Sequence, residues 1–420
     1  MPINVTHGLR RVRLVEPDRT ARLPPTFTFD DLLPPDHLAR LLHAVFAKLD
    51  LSSFEDGIRS VEGHQGRALT SPHMLLTLWC FAISQGVTSA REIFHLTHEH
   101  AAYRWITSDL PVSHEKLSAF RVDHRAQLQA VFTDVLATLL HQGDLDLSLL
   151  GQDGTRTRAA ASAPSFRTLG GLLHCQQQAA LHLKAVLAAA DDPEYTPAQH
   201  RRRAVMARDF QARVDQALVT VKVLHEARSK PDKVVRASTT DPEARLMKMG
   251  DAGYRPAYNI QYSVAGSPMG GPRTIVAVEV TNVGSDLGSL APLTKQVAER
   301  TGMLPEHLLA DGGHVKHADV IEVEKMGVAV LMPPPDNAKP LSEFGGAAPE
   351  LVTWRKRMET EAAQKEYRAR AGLCELVNAH QKEHQGLEQV LVRGLGKVTC
   401  VALLSALTFN LLQNLGALTS

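Results

Sequence analysis

Two aspartates in this chain stand in the same local setting. Asp153 closes the run LDLSLLGQ and is followed by Gly154, and Asp311 closes LLA and is followed by Gly312 and Gly313. Apolar runs of β type, cut off by glycines that allow positive φ, read as strands that each deliver one carboxylate to a C-terminal tip. Tips of open α/β sheets are where ligands usually sit. Taken singly, each aspartate is more simply a turn or cap residue. Brought together, two carboxylates cannot both stay ionised without a counter-cation. Hard oxygen ligands with room for water suit Mg2+ or Mn2+. Two such ions, roughly 3.5–4 Å apart, activate an attacking oxygen and stabilise a leaving one in phosphodiester displacement.

A second metal position needs a third acidic residue, from a helix facing the sheet. The segment 357–388 reads as one long helix and offers Glu359, Glu361, Glu366, Glu375, Glu383 and Glu388. Glu375 lies in LCELV, among apolar neighbours, so its turn is expected to face the core. A carboxylate there is costly unless paired or metal-bound. The other five lie in polar runs.

The elements that must position these residues follow in chain order. Residues 1–30 are rich in Arg and Pro and read as an extended arm. Residues 31–145 have helical periodicity throughout. Ser71 and Pro72 open a helix, PHMLLTLWCFAISQG, that is apolar nearly all round and therefore buried. VSHEKLSAFRVDHRAQLQAVFTDVLATLLHQG reads as the last helix of this part. Such a set of short helices fits either a helix-turn-helix-like DNA reader or a plain bundle. After the Asp153 strand, Arg156 and Arg158 share one face of an extended segment. A helical insertion at about 171–230 reads as two antiparallel helices joined at DDPEYTP. The second carries Arg201, Arg202, Arg203, Arg208 and Arg213, a solvated face or a phosphate-contacting arm. YNIQYSVA and RTIVAVEVTN form a hairpin. A helix closed by Gly302, the Asp311 strand, a helix closed by Gly327 and the strand VAVLMP follow. Residues 333–356 read as a Pro/Gly loop, and an apolar helix ends the chain. Asp241 and Asp286 each read as a helix cap, Asp286 lying close enough to the sheet tip to support the site.

With the insertion set aside, this order matches an α/β fold. It is a ribonuclease H-like mixed five-stranded sheet with flanking helices, preceded by an all-helical N-terminal domain. The catalytic part spans 146–420. In that topology the first and fourth strands lie side by side, which makes Asp153 and Asp311 neighbours.

Composition bounds the alternatives. The 420 residues are 44% hydrophobic and 22% charged, with a net charge of +1. That is ordinary globular material, long enough for two or three domains, and any polyanion must be held by local patches. Cys80, Cys175, Cys374 and Cys400 form no CxxC pair and read as reduced core residues. The 20 histidines are scattered and lack HExxH spacing, which argues against a histidine metal site. The N-terminus has no signal-type apolar stretch, and no run of 18 apolar residues marks a membrane span.

Several motifs carry a resemblance. DGTRTRAAAS at 153–162, STTDPEARLMKMGDAGYRPAYNIQ at 238–261 and LLADGGH at 308–314 resemble the DDE transposases of bacterial insertion sequences. So does Tyr367-x2-Arg370-x4-Glu375-x6-Lys382, followed by VRGLGKV at 392–398. SPHMLLTLWCFAISQGVTSAREI resembles the helical region before the family's catalytic domain, so the likeness spans roughly residues 25 to 415. Two positions depart from the pattern. Ala160 stands where Asn is more frequent, and His314 stands near the place of an aromatic residue.

The resemblance implies Asp153, Asp311 and Glu375 as a triad for two divalent cations, Mg2+ or Mn2+. It implies cleavage of double-stranded DNA at element ends, then strand transfer by the freed 3′-hydroxyl. DNA-binding roles are expected for Tyr367, Arg370, Lys382, Arg156 and Arg158, with end binding by the helical N-terminal domain. A homo-oligomeric synapse, no membrane partner and a cytoplasmic, nucleoid-associated location are also expected. Two alternatives stay open, an inactive or domesticated DNA-binding derivative and a ribonuclease H-fold nuclease without strand transfer.

Overall fold

The structure is a computed structural model that describes residues 14–23, 27–56, 68–189, 192–228, 232, 234–267, 270–335 and 348–420. Most of the expected N-terminal arm and much of the 333–356 loop therefore lie outside the described residues. The described part of that arm is not free. Leu14–Val15 pairs in parallel with Leu69–Thr70, and Arg22–Leu23 pairs with Phe27–Thr28.

Among the described residues, six α-helices precede the sheet: α1 (Leu38–Lys48), α2 (Pro72–Ser84), α3 (Ala90–Glu99), α4 (Ala101–Thr107), α5 (His114–Asp123) and α6 (Arg125–Gln142). Helix α2 begins as expected, with the Ser71 hydroxyl accepting from the Met74 N–H and Pro72 in the first turn. Eleven of its residues are buried. The single helix expected at 112–143 is two, because His124 adopts φ −114°, ψ 43° and breaks the run between α5 and α6.

The main sheet contains β1 (Leu149–Arg158), β2 (Arg245–Lys248), β3 (Tyr254–Ala265), β4 (Thr274–Thr281), β5 (His307–Ala310) and β6 (Ala329–Leu331). Its order is β4-β3-β1-β5-β6, with the short β2 paired to β3, one strand more than expected. Strands β1, β5 and β6 run parallel, and β3 is antiparallel to both β1 and β4. Leu308, Leu309 and Ala310 are all fully buried, as a parallel strand covered on both faces requires.

Between β1 and β2, α7 (Leu169–Ala188) and α8 (Pro197–Glu226) form the expected hairpin, with a small core of Leu172, Ala217, Leu218, Val221 and Ala237. Around the sheet lie α9 (Leu290–Thr301), α10 (His317–Lys325), α11 (Pro349–Met358), α12 (Glu361–Tyr367) and α13 (Leu376–Glu383). The loop read as 333–356 is thus shorter, since α11 begins at Pro349. The long helix read at 357–388 is interrupted: a π-helical turn, Ala371–Glu375, separates α12 from α13. The chain closes with α14 (Leu395–Gln413) and α15 (Leu415–Thr419).

Helix α14 is long and apolar enough to cross a membrane by length and composition, but 78% of its apolar window is buried inside the fold. It packs against β4, α2, α5 and α6, so the N-terminal helices and the sheet share one continuous core. All four cysteines are free. Three are buried, but Cys175 on α7 is partly exposed and is not a core residue.

Candidate active site

Strands β1 and β5 pair in parallel with His307 opposite Leu149 and Ala310 opposite Gln152. The next step in that register sets Asp311 beside Asp153, with both side chains on the same face of the sheet. Asp311 follows the last residue of β5 and caps a 3₁₀ turn, Gly312–His314. Its Oδ1 accepts from the Gly313 N–H (2.9 Å) and lies 2.7 Å from His314 Nδ1. No positive φ is needed at Gly312 or Gly313. Gly313 matters for close approach instead, because a Cβ there would lie 3.0 Å from Asp311 Oδ1.

Asp153 is not at a strand tip. Strand β1 continues through it to Arg158. Gly154 is a strand residue whose missing Cβ makes room for other side chains: a Cβ there would lie 2.1 Å from Gln261 Nε2 and 2.3 Å from Asp286 Oδ1. Asp286 is consequently no helix cap; Ser289 occupies that position of α9. Its carboxylate accepts from Asn259 Nδ2 (2.8 Å) and from Gln261 Nε2, on the face of β1 and β3 opposite Asp153. Asp241 is not a cap either. It is fully buried and both its oxygens accept from the Tyr258 hydroxyl, at 2.8 and 2.9 Å.

The π-helical turn lies directly on β1. A Cβ on Gly151 would lie 2.5 Å from Cys374 Sγ and 3.2 Å from Leu373 Cβ. Leu373 and Cys374 therefore take the buried face, and the expectation that Glu375 faces the core fails. Its side chain is 60% exposed. A π turn brings residues i and i+5 onto one face, which an α-helical spacing does not. Arg370 thus reaches Glu375, with Nη2 3.0 Å from Oε1, although α-helical spacing offset it. The same guanidinium reaches the other side of the site, with Nη1 3.6 Å from Asp153 Oδ2. Arg370 bridges the sheet carboxylate and the helix carboxylate. One turn on, Asn378 Nδ2 donates to Asp153 Oδ2 at 3.1 Å.

The electrostatics follow from this placement. Burial raises the Asp153 carboxyl above its ordinary range; Arg370 opposes that and Asp311 adds to it. The His314 hydrogen bond lowers the Asp311 carboxyl against its partial burial, with help from Arg370. Burial works against the charge of Arg370, but Asp153, Tyr367, Cys374 and Asp311 together raise its pKa. Burial is thus the main influence on Asp153, and Arg370 is the largest influence opposing it.

Tyr367 is half-buried against the core and hydrogen-bonded to Arg370, with burial raising its pKa. Lys382 is half-buried; burial lowers its pKa, while Glu388 and Asp153 oppose that and Arg156 adds to it. Arg156 donates to the Gly284 carbonyl (2.8 Å), and Arg158 lies 3.6 Å from Glu388. The Arg201–Arg203 cluster sits on α8, where Arg203 stacks over Tyr195, and no contact among the described residues joins it to the carboxylates.

Among the described residues, no group of three His, Cys, Asp or Glu side chains is gathered as a metal site. Glu375 is turned outward onto Arg370, which accounts for this. The donor chemistry still fits a hard divalent cation. Two strand carboxylates share one face, Asp311 Oδ2 takes no hydrogen bond among the described residues, and Asp153 is largely buried beside Arg370. Neither Asn378 nor the role of His314 is among the expected site features. Asn378 lies three residues after Glu375 and so on the same side of the helix, a spacing that was available.

Residues 349–415 match the family described as transposase DDE domain, and residues 27–123 match the transposase domain DUF772. The first match covers Tyr367, Arg370, Glu375 and Lys382; Asp153 and Asp311 lie outside both. No curated protein and no solved structure matches the chain. The two matches support a DDE transposase of insertion-sequence type. Enzymes of this class act on DNA in transposition and use divalent metal ions.

Proposed function

We propose that this transposase cleaves DNA at the ends of an insertion sequence and joins the freed ends to target DNA, using Asp153, Asp311 and Glu375 as metal ligands. The supporting observation is the parallel register of β1 and β5, which sets Asp153 beside Asp311 facing the Arg370–Glu375 pair. The strand order β4-β3-β1-β5-β6 supports a ribonuclease H-like reading of the core. In the same reading, residues 31–145 bind element ends, 146–420 form the catalytic part with its insertion at about 171–230, and residues 1–30 are an arm.

Asp153 and Asp311 would hold Mg2+ or Mn2+ from the sheet, and Glu375 would join them by turning away from Arg370. The bound ions supply activation of the attacking oxygen and stabilisation of the leaving one. The protein groups have separate tasks. Asn378 and the Gly154 N–H orient Asp153. Arg370, once released from Glu375, is a fork-shaped donor for a DNA phosphate beside the carboxylates. Lys382 adds a second cation near Asp153, and Tyr367 holds Arg370 on its apolar side. Arg156 and Arg158 extend the positive edge of β1. Holding two element ends together for joining favours a homo-oligomeric assembly on DNA, and a DNA substrate favours a nucleoid-associated, cytoplasmic location.

The test is incubation of purified protein with labelled element-end DNA and Mg2+ or Mn2+. Metal-dependent nicks together with joined products are expected. Nicks without joining point to a nuclease, and a mobility shift without cleavage to a binding derivative. Asp311→Asn is expected to bind DNA and cleave none; cleavage by that variant removes Asp311 from the triad.

A further inference from the structure

His314 is fully buried three residues after Asp311. Its Nδ1 faces Asp311 Oδ1 at 2.7 Å, while its Nε2 is buried and has no hydrogen-bond partner among the described residues. A histidine that tied two parts of the fold together would use both nitrogens. Among the described residues, this imidazole makes one hydrogen bond, to a single carboxylate oxygen. That oxygen also takes the Gly313 N–H at 2.9 Å, so among the described residues Oδ1 carries two donors and Oδ2 none. With Oδ1 fixed at two points, the carboxylate has no free rotation about its Cβ–Cγ bond.

We infer that His314 is a positioning residue: its Nδ1–H pins Asp311 Oδ1 and presents Oδ2 to a divalent cation shared with Asp153. This rests on the reading of Asp311 as a metal ligand. Groups that orient metal-binding carboxylates typically contribute about 10–100-fold to metal affinity.

The experiment compares His314→Asn with His314→Leu in the full chain. The two side chains are near-equal in size and leave similar space in the buried slot. They differ in the amide N–H, which Asn carries close to the place of Nδ1. Mn2+ alone is titrated and its free ion followed by electron paramagnetic resonance, so the readout needs no DNA and no turnover. His314→Leu is expected to bind Mn2+ about 10–100-fold more weakly than the wild type, and His314→Asn to recover most of that loss. Equal binding by the two variants, whether both weak or both normal, overturns the inference. Asp311→Asn in the same titration separates the two levels. If it binds Mn2+ like the wild type, the ligand reading itself falls; if it alone loses binding, only the role of His314 falls.

Discussion

Gly154→Ala tests whether the strand that carries Asp153 is locked from behind. The new methyl carbon would lie 2.1 Å from Gln261 Nε2, 2.8 Å from Gln261 Cδ and 2.3 Å from Asp286 Oδ1. These are side-chain ends, but they are not free to swing. Asp286 Oδ1 holds Gln261 and Asn259 together, and both amides are buried. Making room means overpacking, about 1–3 kcal/mol, and leaving at least one buried amide without its acceptor, about 1–3 kcal/mol more. Removing a strand glycine returns about 0.5–1 kcal/mol, so the net loss is about 1–5 kcal/mol. Urea unfolding of wild type and variant at neutral pH measures it. In a Gln261→Ala background the loss should shrink, because the nearest obstacle is gone. A loss below about 0.5 kcal/mol in the wild-type background refutes the reasoning, since ordinary surface changes fall in that range.

Three further outcomes follow from the same geometry. Arg370→Met removes the cation that Asp153 and Glu375 share. The variant should lose about 1–3 kcal/mol at pH 7, below the fully buried value because the Glu375 end is in solvent. That loss should narrow as the pH falls and Asp153 protonates; urea unfolding at two pH values checks both, and a variant as stable as wild type at pH 7 contradicts the bridge. Burial, with His73, Arg19 and Arg40 adding to it, lowers His43 from 6.5 to about 3. A depressed histidine is neutral when folded, so its contribution is complete above pH 6.5 and is lost as the pH falls from 6.5 toward 3. His43→Phe should flatten stability between pH 7.5 and 5, and an unchanged pH slope counts against this. Lys382→Ala should weaken DNA binding evenly across sequences and reduce the salt slope by about 1. A slope equal to that of the wild type removes Lys382 from phosphate contact.

The strands that build the site were legible because β periodicity and glycine punctuation are local signals. LLADGG announced a strand and a turn, and the element order, matched to a ribonuclease H-like topology, set β1 beside β5, a pairing that the register bears out. What was not legible depends on contacts between distant segments. Gly154 read as a turn because nothing near it in sequence shows that Gln261 and Asp286 need its space. Asp241 and Asp286 read as caps from their immediate neighbours, yet their partners are Tyr258, Asn259 and Gln261 on β3. Glu375 was assigned a buried face by α-helical spacing. The π turn rotates the following residues, buries Leu373 and Cys374 against Gly151, and brings Arg370 onto Glu375. His314 looked like a departure beside Asp311, whereas the 3₁₀ turn makes it that carboxylate's closest side-chain partner.

In the proposed mechanism Asp311 binds the divalent ion that DNA cleavage requires, and Asp311→Cys tests this most directly. A thiolate is a poor ligand for Mg2+ and a better one for softer ions such as Mn2+. Element-end cleavage by this variant should be lost in Mg2+ and return in part when Mn2+ replaces it, with DNA binding intact throughout. Unchanged cleavage in Mg2+ would contradict the assignment.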